Sequence, residues 1–202
     1  MAWYDWFSNF YDASLERLYH DARLAAAAAL QAEPHHALLD LPCGTGQSFD
    51  ALAPKVAALV GVDLSEGMLR RARARVAAHG WPHVRLLRCD VHALALADLH
   101  LPTPRLDRLH VFLGLSTFPR WEAAFEHLWS LLVPGGRCVV VDVHSARPGL
   151  QGRMVNLVAG ADIRRRTWEP LERLAVNFTR EDLSYRRQHG GQIFLAAGDK
   201  PA

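Results

Sequence analysis

The stretch Leu38-Leu39-Asp40-Leu41-Pro42-Cys43-Gly44-Thr45-Gly46 decides how the rest of the chain is read. An apolar run ends in a carboxylate. A loop then carries glycine at two alternate positions before Gln47-Ser48-Phe49 opens a short helix. Glycine removes the side chain where backbone must let a ligand come close, and a strand-to-helix turn puts backbone N–H groups at the helix start. In open α/β sheets such a turn lies at the carboxyl ends of the strands, where ligands bind. Three readings compete. One is a plain strand–loop–helix corner. A second is a dinucleotide-binding loop, which wants a third glycine where this chain has Phe49. The third is an acid-x-x-x-Gly-x-Gly loop for a nucleoside that lacks a pyrophosphate.

Downstream, strands and helices alternate, as expected of a parallel sheet. The first strand is expected over Ala37–Leu41, with a short helix from Gln47 to Ala53 stopped by Pro54. Val56–Asp63 is a nearly continuous apolar run of the kind buried on both faces of a parallel sheet. It ends in Asp63, about 20 residues past the glycine loop, the separation at which a carboxylate accepts from ribose hydroxyls. Ser65 is placed to cap the helix Glu66–His79, and Gly80 stands just past its end. Arg70, Arg71, Arg73 and Arg75 cover more than one face of that helix and read as solvated surface. Val84–Cys89 is the third strand, and Cys89-Asp90-Val91 offers a carboxylate for an exocyclic amine and a backbone N–H for a ring nitrogen, the two groups an adenine edge demands. A fourth strand is expected over Arg108–Leu115, with His110 and Phe112 on one face and His110 read as packed rather than basic. The helix Arg120–Leu132 and the strand Arg137–His144 follow, joined by Pro134-Gly135-Gly136. Asp142 and His144 share a face at the sheet's carboxyl edge, lining a pocket or merely ending a strand. Residues 149–176 read as helical pieces, and Leu183–His189 with Gln192–Ala197 as a hairpin turning on Gly190-Gly191.

The chain has 202 residues, half of them hydrophobic and 22% charged, enough for one domain with a real core. A net charge of +2 is too small to argue for nucleic acid. No apolar run is long enough to span a bilayer, and Met1-Ala2-Trp3-Tyr4-Asp5-Trp6 lacks the layout of a secretion signal. Cys43, Cys89 and Cys138 are odd in number and unpaired by spacing, which argues against a disulfide framework or zinc site and for a cytoplasmic location. His35 and His36 are adjacent and expected to diverge, and Gly80-Trp81-Pro82 separates His79 from His83, so no metal is expected.

The motifs, taken in order, resemble the class I S-adenosylmethionine-dependent methyltransferases. Asp40-Leu41-Pro42-Cys43-Gly44-Thr45-Gly46 is similar to the family's first motif, with Pro42 where most members have glycine; Pro cannot take positive φ, so the first bend must differ. Asp63-Leu64-Ser65-Glu66-Gly67-Met68-Leu69 is similar to its Asp-x-Ser-x-x-Met-Leu stretch, and Leu131-Leu132-Val133-Pro134-Gly135-Gly136 to its post-helix motif. The aromatic opening Trp3-Tyr4-Asp5-Trp6-Phe7-Ser8-Asn9-Phe10-Tyr11-Asp12 resembles that of quinone-biosynthesis and related small-molecule members. The resemblance implies a Rossmann-like, doubly wound seven-stranded α/β sheet with a C-terminal antiparallel hairpin. It implies S-adenosyl-L-methionine as cofactor and a small-molecule acceptor of the ubiquinone, menaquinone or phospholipid kind. Carried over residue by residue, the cofactor set is Tyr11, Asp40, Pro42, Cys43, Gly44, Gly46, Asp63, Leu64, Met68, Asp90, Val91 and Phe112. Leu64 and Met68 flank the adenine, and Phe112 lies near the methionine end. Tyr11 and His144 are the candidate proton acceptors. Residues 1–33 would form a helical cap or flap, 37–144 the cofactor core, and 145–202 a helical segment with the hairpin. A nicotinamide-dependent oxidoreductase and a non-catalytic relative of the same fold are the alternatives.

Overall fold

A computed structural model describes residues 19–186 and 190–202. The aromatic opening, Tyr11 included, lies outside the described residues. Residues 19–29 are helical and form α1. The elements that follow are β1 (Ala37–Asp40), α2 (Phe49–Leu52), β2 (Ala58–Asp63), α3 (Glu66–His79), β3 (Val84–Arg88), β4 (Leu106–Phe112), α4 (Trp121–Leu131), β5 (Leu132–His144), α5 (Leu150–Ala159), α6 (Glu169–Leu174), β6 (Val176–Arg186) and β7 (Gly191–Asp199). The strands form one seven-stranded sheet in the order β3-β2-β1-β4-β5-β7-β6. Pairing is parallel from β3 to β5, and β7 is antiparallel to both its neighbours. This is the expected doubly wound sheet with its C-terminal hairpin.

Strand alternation divides the core into two layers. Leu38, Phe112, Val139 and Val141 face a layer that takes in the alanine face of α1 and the apolar sides of α2 and α3. Leu39, Leu109, Val111 and Val140 face the other, closed by Phe125, Leu128 and Trp129 of α4 and Leu171 of α6. Ala22, Ala26 and Ala27 are buried on α1, and their small side chains let its backbone approach the sheet. The strand order reverses between β1 and β4, so a crevice opens at the carboxyl ends of these two strands.

The ends of α3 follow local chemistry. Ser65 Oγ accepts from Met68 N–H, and Gly80 takes φ 63° as the C-terminal cap. Other boundaries move for tertiary reasons. Pro54 does not stop the second helix; it sits in a 3-10 turn over Ala53–Lys55 that extends it. Val56 stays outside β2, which begins at Ala58, where the His36 carbonyl accepts from Ala57 N–H and Ala58 N–H. Pro134-Gly135-Gly136 is part of β5 rather than a linker, because Gly135 N–H donates to the Lys200 carbonyl at 2.9 Å and Lys200 N–H to the Gly136 carbonyl at 2.8 Å. The Lys200 ammonium then donates to the carbonyls of Trp129, Ser130 and Leu132, closing the end of α4. The stretch around Arg164-Arg165-Arg166 is loop, not helix, and β6 starts at Val176, seven residues earlier than hydropathy suggests.

Candidate functional site

The carboxyl ends of β3, β2, β1 and β4 stand side by side, and each ends at or beside a residue named from the sequence: Asp90, Asp63, Asp40 and Phe112. Cys89 N–H donates to the Asp63 carbonyl, tying the tips of β2 and β3 together.

At the glycine loop the two glycines do different work. Gly44 has φ 55°, and a Cβ built there meets nothing within 4 Å. Gly46 has φ 78°, but a Cβ there would lie 2.7 Å from the Phe49 ring. Gly44 faces open space, while the missing side chain of Gly46 makes room for Phe49. The same ring lies 2.6 Å from a Cβ placed on Gly61 in β2. A third glycine in a dinucleotide loop lets helix and strand pack closely; here Phe49 fills that gap, and glycines at 46 and 61 accommodate it. Pro42 follows a cis peptide bond, and its ring packs where a side chain on Gly114 would otherwise go. Cys43 is buried, and desolvation, then Asp40 and Asp63, push its thiol up. It is a packing residue at the loop rather than a nucleophile.

Asp63 is held by two backbone donors. Its Oδ2 accepts from Gly44 N–H and its Oδ1 from Ser65 N–H, both at 2.9 Å. Burial pushes its carboxyl above the ordinary range, and these N–H donors pull the other way. Each oxygen keeps a lone-pair direction for another donor. Leu64 beside it is 62% exposed, an apolar side chain held out at the crevice, and Met68 is half-buried one turn into α3. Asp90 is exposed, and its Oδ1 accepts from His92 N–H at 2.9 Å, capping a 3-10 turn over Val91–Ala93 in which Val91 is buried. The turn-capping role and a ligand role are compatible, since the second oxygen is not needed for the cap.

Asp40 is buried rather than presented to solvent, and its Oδ1 lies 2.7 Å from His110 Nδ1 on β4. His110 stacks on Phe112, with ring centroids 5.7 Å apart. Phe112 in turn meets Tyr19 edge-on and lies under the Arg23 guanidinium. Arg23 also donates to the Gln47 side chain at the end of the glycine loop. Tyr19, Arg23 and Gln47 are not among the site residues expected from the sequence; Gln47 stands directly after the glycine loop, while Tyr19 and Arg23 lie in α1, whose partner no local pattern gives.

Across the crevice, His144 ends β5. Its Nδ1 lies 3.2 Å from the Arg165 carbonyl, so that nitrogen carries the proton and the neutral ring keeps a lone pair on Nε2. Trp168 meets the ring edge-on. Asp142 does not line a pocket: it is buried and accepts from Ser116 N–H, Ser116 Oγ and Val143 N–H. Burial pushes its carboxyl up against the pull of these donors. Arg165 donates to the carbonyls of Leu115, Ser116 and Phe118, bracketing the loop after β4 to the loop before α6.

Of the two histidine pairs, the first departs from expectation. His35 and His36 do not diverge; their rings lie 4.2 Å apart, with Glu33 beside them, and the three ligand atoms fall within 4.8 Å of one another. His36 Nδ1 accepts from Glu33 N–H, which leaves the proton of the neutral ring on Nε2 and no lone pair for a metal in this arrangement. His79 stacks on Trp81, while His83 Nε2 bonds the Ala53 carbonyl.

Residues 38–136 match a family model described as "Methyltransferase domain". The chain is 34% identical over 122 residues to a demethylmenaquinone methyltransferase of Thermus thermophilus, covering 59% of this chain and 52% of that one. It is 32% identical over 120 residues to the enzyme of that name in Clavibacter sepedonicus, covering 59% and 46%. The chain thus spans about half the length of these curated relatives. Among solved structures, the N-methyltransferase NodS from Bradyrhizobium japonicum in complex with S-adenosylhomocysteine superposes with a TM-score of 0.72 at 18% identity, covering 92% of this chain and 87% of that one. The matched stretch runs from the strand before the glycine loop to the glycines of β5.

Proposed function

We propose that this chain, whose core is the methyltransferase domain of the class I S-adenosylmethionine-dependent enzymes, binds S-adenosylmethionine and transfers its methyl group to a small-molecule acceptor. The observation that carries the reading is the Asp63 carboxylate, held by Gly44 N–H and Ser65 N–H beside the open space at Gly44. A cofactor with two vicinal hydroxyls and no pyrophosphate fits this edge. Asp63 would accept from the ribose, Leu64 and Met68 would flank the adenine, and Asp90 with the Val91 N–H would meet its edge. The bound cofactor supplies a methyl group already activated on a sulfonium. The chain then has to align an acceptor with it, exclude water and take up a proton where the acceptor is O–H or N–H. His144 suits the last task, because the Arg165 carbonyl fixes its Nδ1–H and leaves Nε2 as the acceptor. Tyr11 stays a second proton acceptor and cofactor neighbour in this proposal, within a flap formed by the N-terminal segment. The dinucleotide alternative is not favoured, since Phe49 fills the position its third glycine would take.

The relatives named for demethylmenaquinone support an apolar small-molecule acceptor. Among the described residues no helix is long and apolar enough to cross a membrane, and Cys43, Cys89 and Cys138 are unbridged, which supports the cytoplasmic location proposed with this function. Titration with S-adenosylhomocysteine and, separately, with NADH tests the cofactor. Mass spectrometry of candidate quinol acceptors then looks for the added methyl. Binding of NADH without S-adenosylhomocysteine would overturn the proposal.

A further inference from the structure

Arg165 stands where three parts of the carboxyl edge meet: the loop after β4, the end of β5 and the loop before α6. One nitrogen of its guanidinium, Nη1, donates to the carbonyls of Leu115 at 3.3 Å, Ser116 at 3.1 Å and Phe118 at 2.7 Å. Its own carbonyl faces His144 Nδ1 at 3.2 Å. Asp162 joins the same two loops. Its N–H donates to the Ser116 carbonyl at 2.8 Å, and its carbonyl accepts from Arg165 N–H at 3.2 Å. Ser116 in turn donates through N–H and Oγ to Asp142, two residues before His144 on β5. The bonds therefore run in a circuit from Arg165 through Ser116 and Asp142 to His144, and back to Arg165.

Which nitrogen of a neutral imidazole carries the proton is set by the bond the ring makes to its surroundings. Trp168 meets the His144 ring edge-on with centroids 4.9 Å apart, but an indole N–H can only donate, so it does not hold the proton on Nδ1. Among the described residues that choice falls to the Arg165 carbonyl. A carbonyl can make the choice only if its peptide is held still. Residues 160–168 form neither helix nor strand, so no ladder holds this one. The grip of the guanidinium on the loop after β4 takes the place of a ladder.

We propose that the Arg165 side chain is the positioning residue for His144: by clamping the loop after β4 it keeps its own carbonyl opposite Nδ1, so that the proton stays there and the lone pair on Nε2. The inference rests on the reading of His144 as proton acceptor given above. With the proton on Nε2 instead, that nitrogen would have no lone pair to accept with. The clasp thus acts on the chemistry through the tautomer, without touching cofactor or acceptor.

The test reads the tautomer directly, by long-range proton–nitrogen NMR of protein labelled with nitrogen-15 at histidine, at mildly alkaline pH where imidazoles are neutral. His144→Asn identifies the signals by their loss. Wild-type protein should show Nδ1 protonated and Nε2 bare. Arg165→Met keeps an aliphatic stem without the donors. It should shift the ratio of the two forms by about tenfold, the effect of one hydrogen bond, and give averaged signals. Arg165→Lys should restore the wild-type signals, because one nitrogen makes all three contacts and an ammonium has three N–H groups. Lys200 already makes such a set, to the carbonyls of Trp129, Ser130 and Leu132. Lys200→Met removes that set at the other end of β5 and should leave His144 unchanged, which a general loosening of the fold would not. If Arg165→Met does not fold, Arg165→Gln, whose shorter amide cannot serve all three carbonyls, should show the same shift. A folded Arg165→Met with the wild-type tautomer, or an equal change in Lys200→Met, would overturn the proposal. Wild-type His144 protonated on Nε2 would overturn the proposal together with the choice of Nε2 as proton acceptor. Turnover by His144→Ala at the wild-type rate is the separate failure of the proton-acceptor reading, and the NMR signals do not depend on it.

Discussion

The ring of Phe49 occupies the space that a side chain on Gly61 would need, with its Cζ 2.6 Å from the position of a Cβ there. The relationship joins the first residue of α2 to the middle of β2, and it seats the helix that follows the glycine loop against the sheet. Gly61→Ala should therefore destabilise the protein by about 1–3 kcal/mol through overpacking. Phe49→Leu in that background should recover part of the loss, although alone it removes buried area. Urea unfolding of the two single variants and the double variant measures the coupling. Additive losses would mean that the ring and the glycine act independently.

Gly44 has the opposite surroundings. A side chain there meets no protein atom, but its φ of 55° is unfavourable for a β-branched residue. Gly44→Val should fold with a stability loss of about 1–3 kcal/mol from backbone strain. It should nevertheless lose binding of S-adenosylhomocysteine, because the isopropyl group projects into the space assigned to the ligand. Thermal unfolding and titration on the same sample separate the two effects. Normal affinity in the folded variant would move the ligand away from this loop.

Burial raises the folded-state pKa of Asp63 above its ordinary value, so protonation there favours the folded state and that contribution is lost as pH rises through the raised value. Ligand affinity runs the other way. Ribose hydroxyls donate to a carboxylate, so S-adenosylhomocysteine should bind more weakly as pH falls through the same interval. Asp63→Asn should bind at least about tenfold more weakly at neutral pH and lose that part of the pH dependence. Titrations from mildly acidic to neutral pH check both. A pH profile shared by wild type and variant would assign the dependence to another group.

What the sequence made legible was chemistry carried by neighbours in the chain. Ser65 and Gly80 declare the ends of α3 because a cap acts within one turn. Asp63 declares itself because a carboxylate follows an apolar run directly, whereas Asp90 is singled out by the family resemblance rather than by its own neighbours. The pairing of Asp40 with His110 joins residues 70 apart, and the Arg165 bracket joins residues 47 to 50 apart. Strand order creates both, and no local pattern carries strand order. Pro42 departs from its motif when read alone; Gly114, which makes space for its ring, follows β4, a strand that comes after β2 and β3 in the sequence but lies next to β1 in the sheet. Gly61 stands inside the apolar run Val56–Asp63, and an isolated glycine inside a strand signals a close approach.

His144 separates binding from turnover. Its Nδ1–H is held by the Arg165 carbonyl, and its Nε2 is the proton acceptor in the proposed reaction. None of the residues assigned to adenine or ribose touches it, so His144→Ala should leave the affinity for S-adenosylhomocysteine within about twofold. Loss of a general base typically slows turnover by about 10²–10⁴-fold, and that deficit is expected with an O–H or N–H acceptor at neutral pH. Raising the pH ionises a phenolic acceptor without help, so the deficit should narrow as the acceptor's own ionisation takes over. His144→Asn keeps an N–H for the Arg165 carbonyl but has no imidazole lone pair, so it should match His144→Ala in turnover while keeping more of the wild-type thermal stability. Turnover by both variants at the wild-type rate, once an acceptor is identified, would remove His144 from the chemistry and leave it as the residue that ties β5 to the loop carrying Arg165.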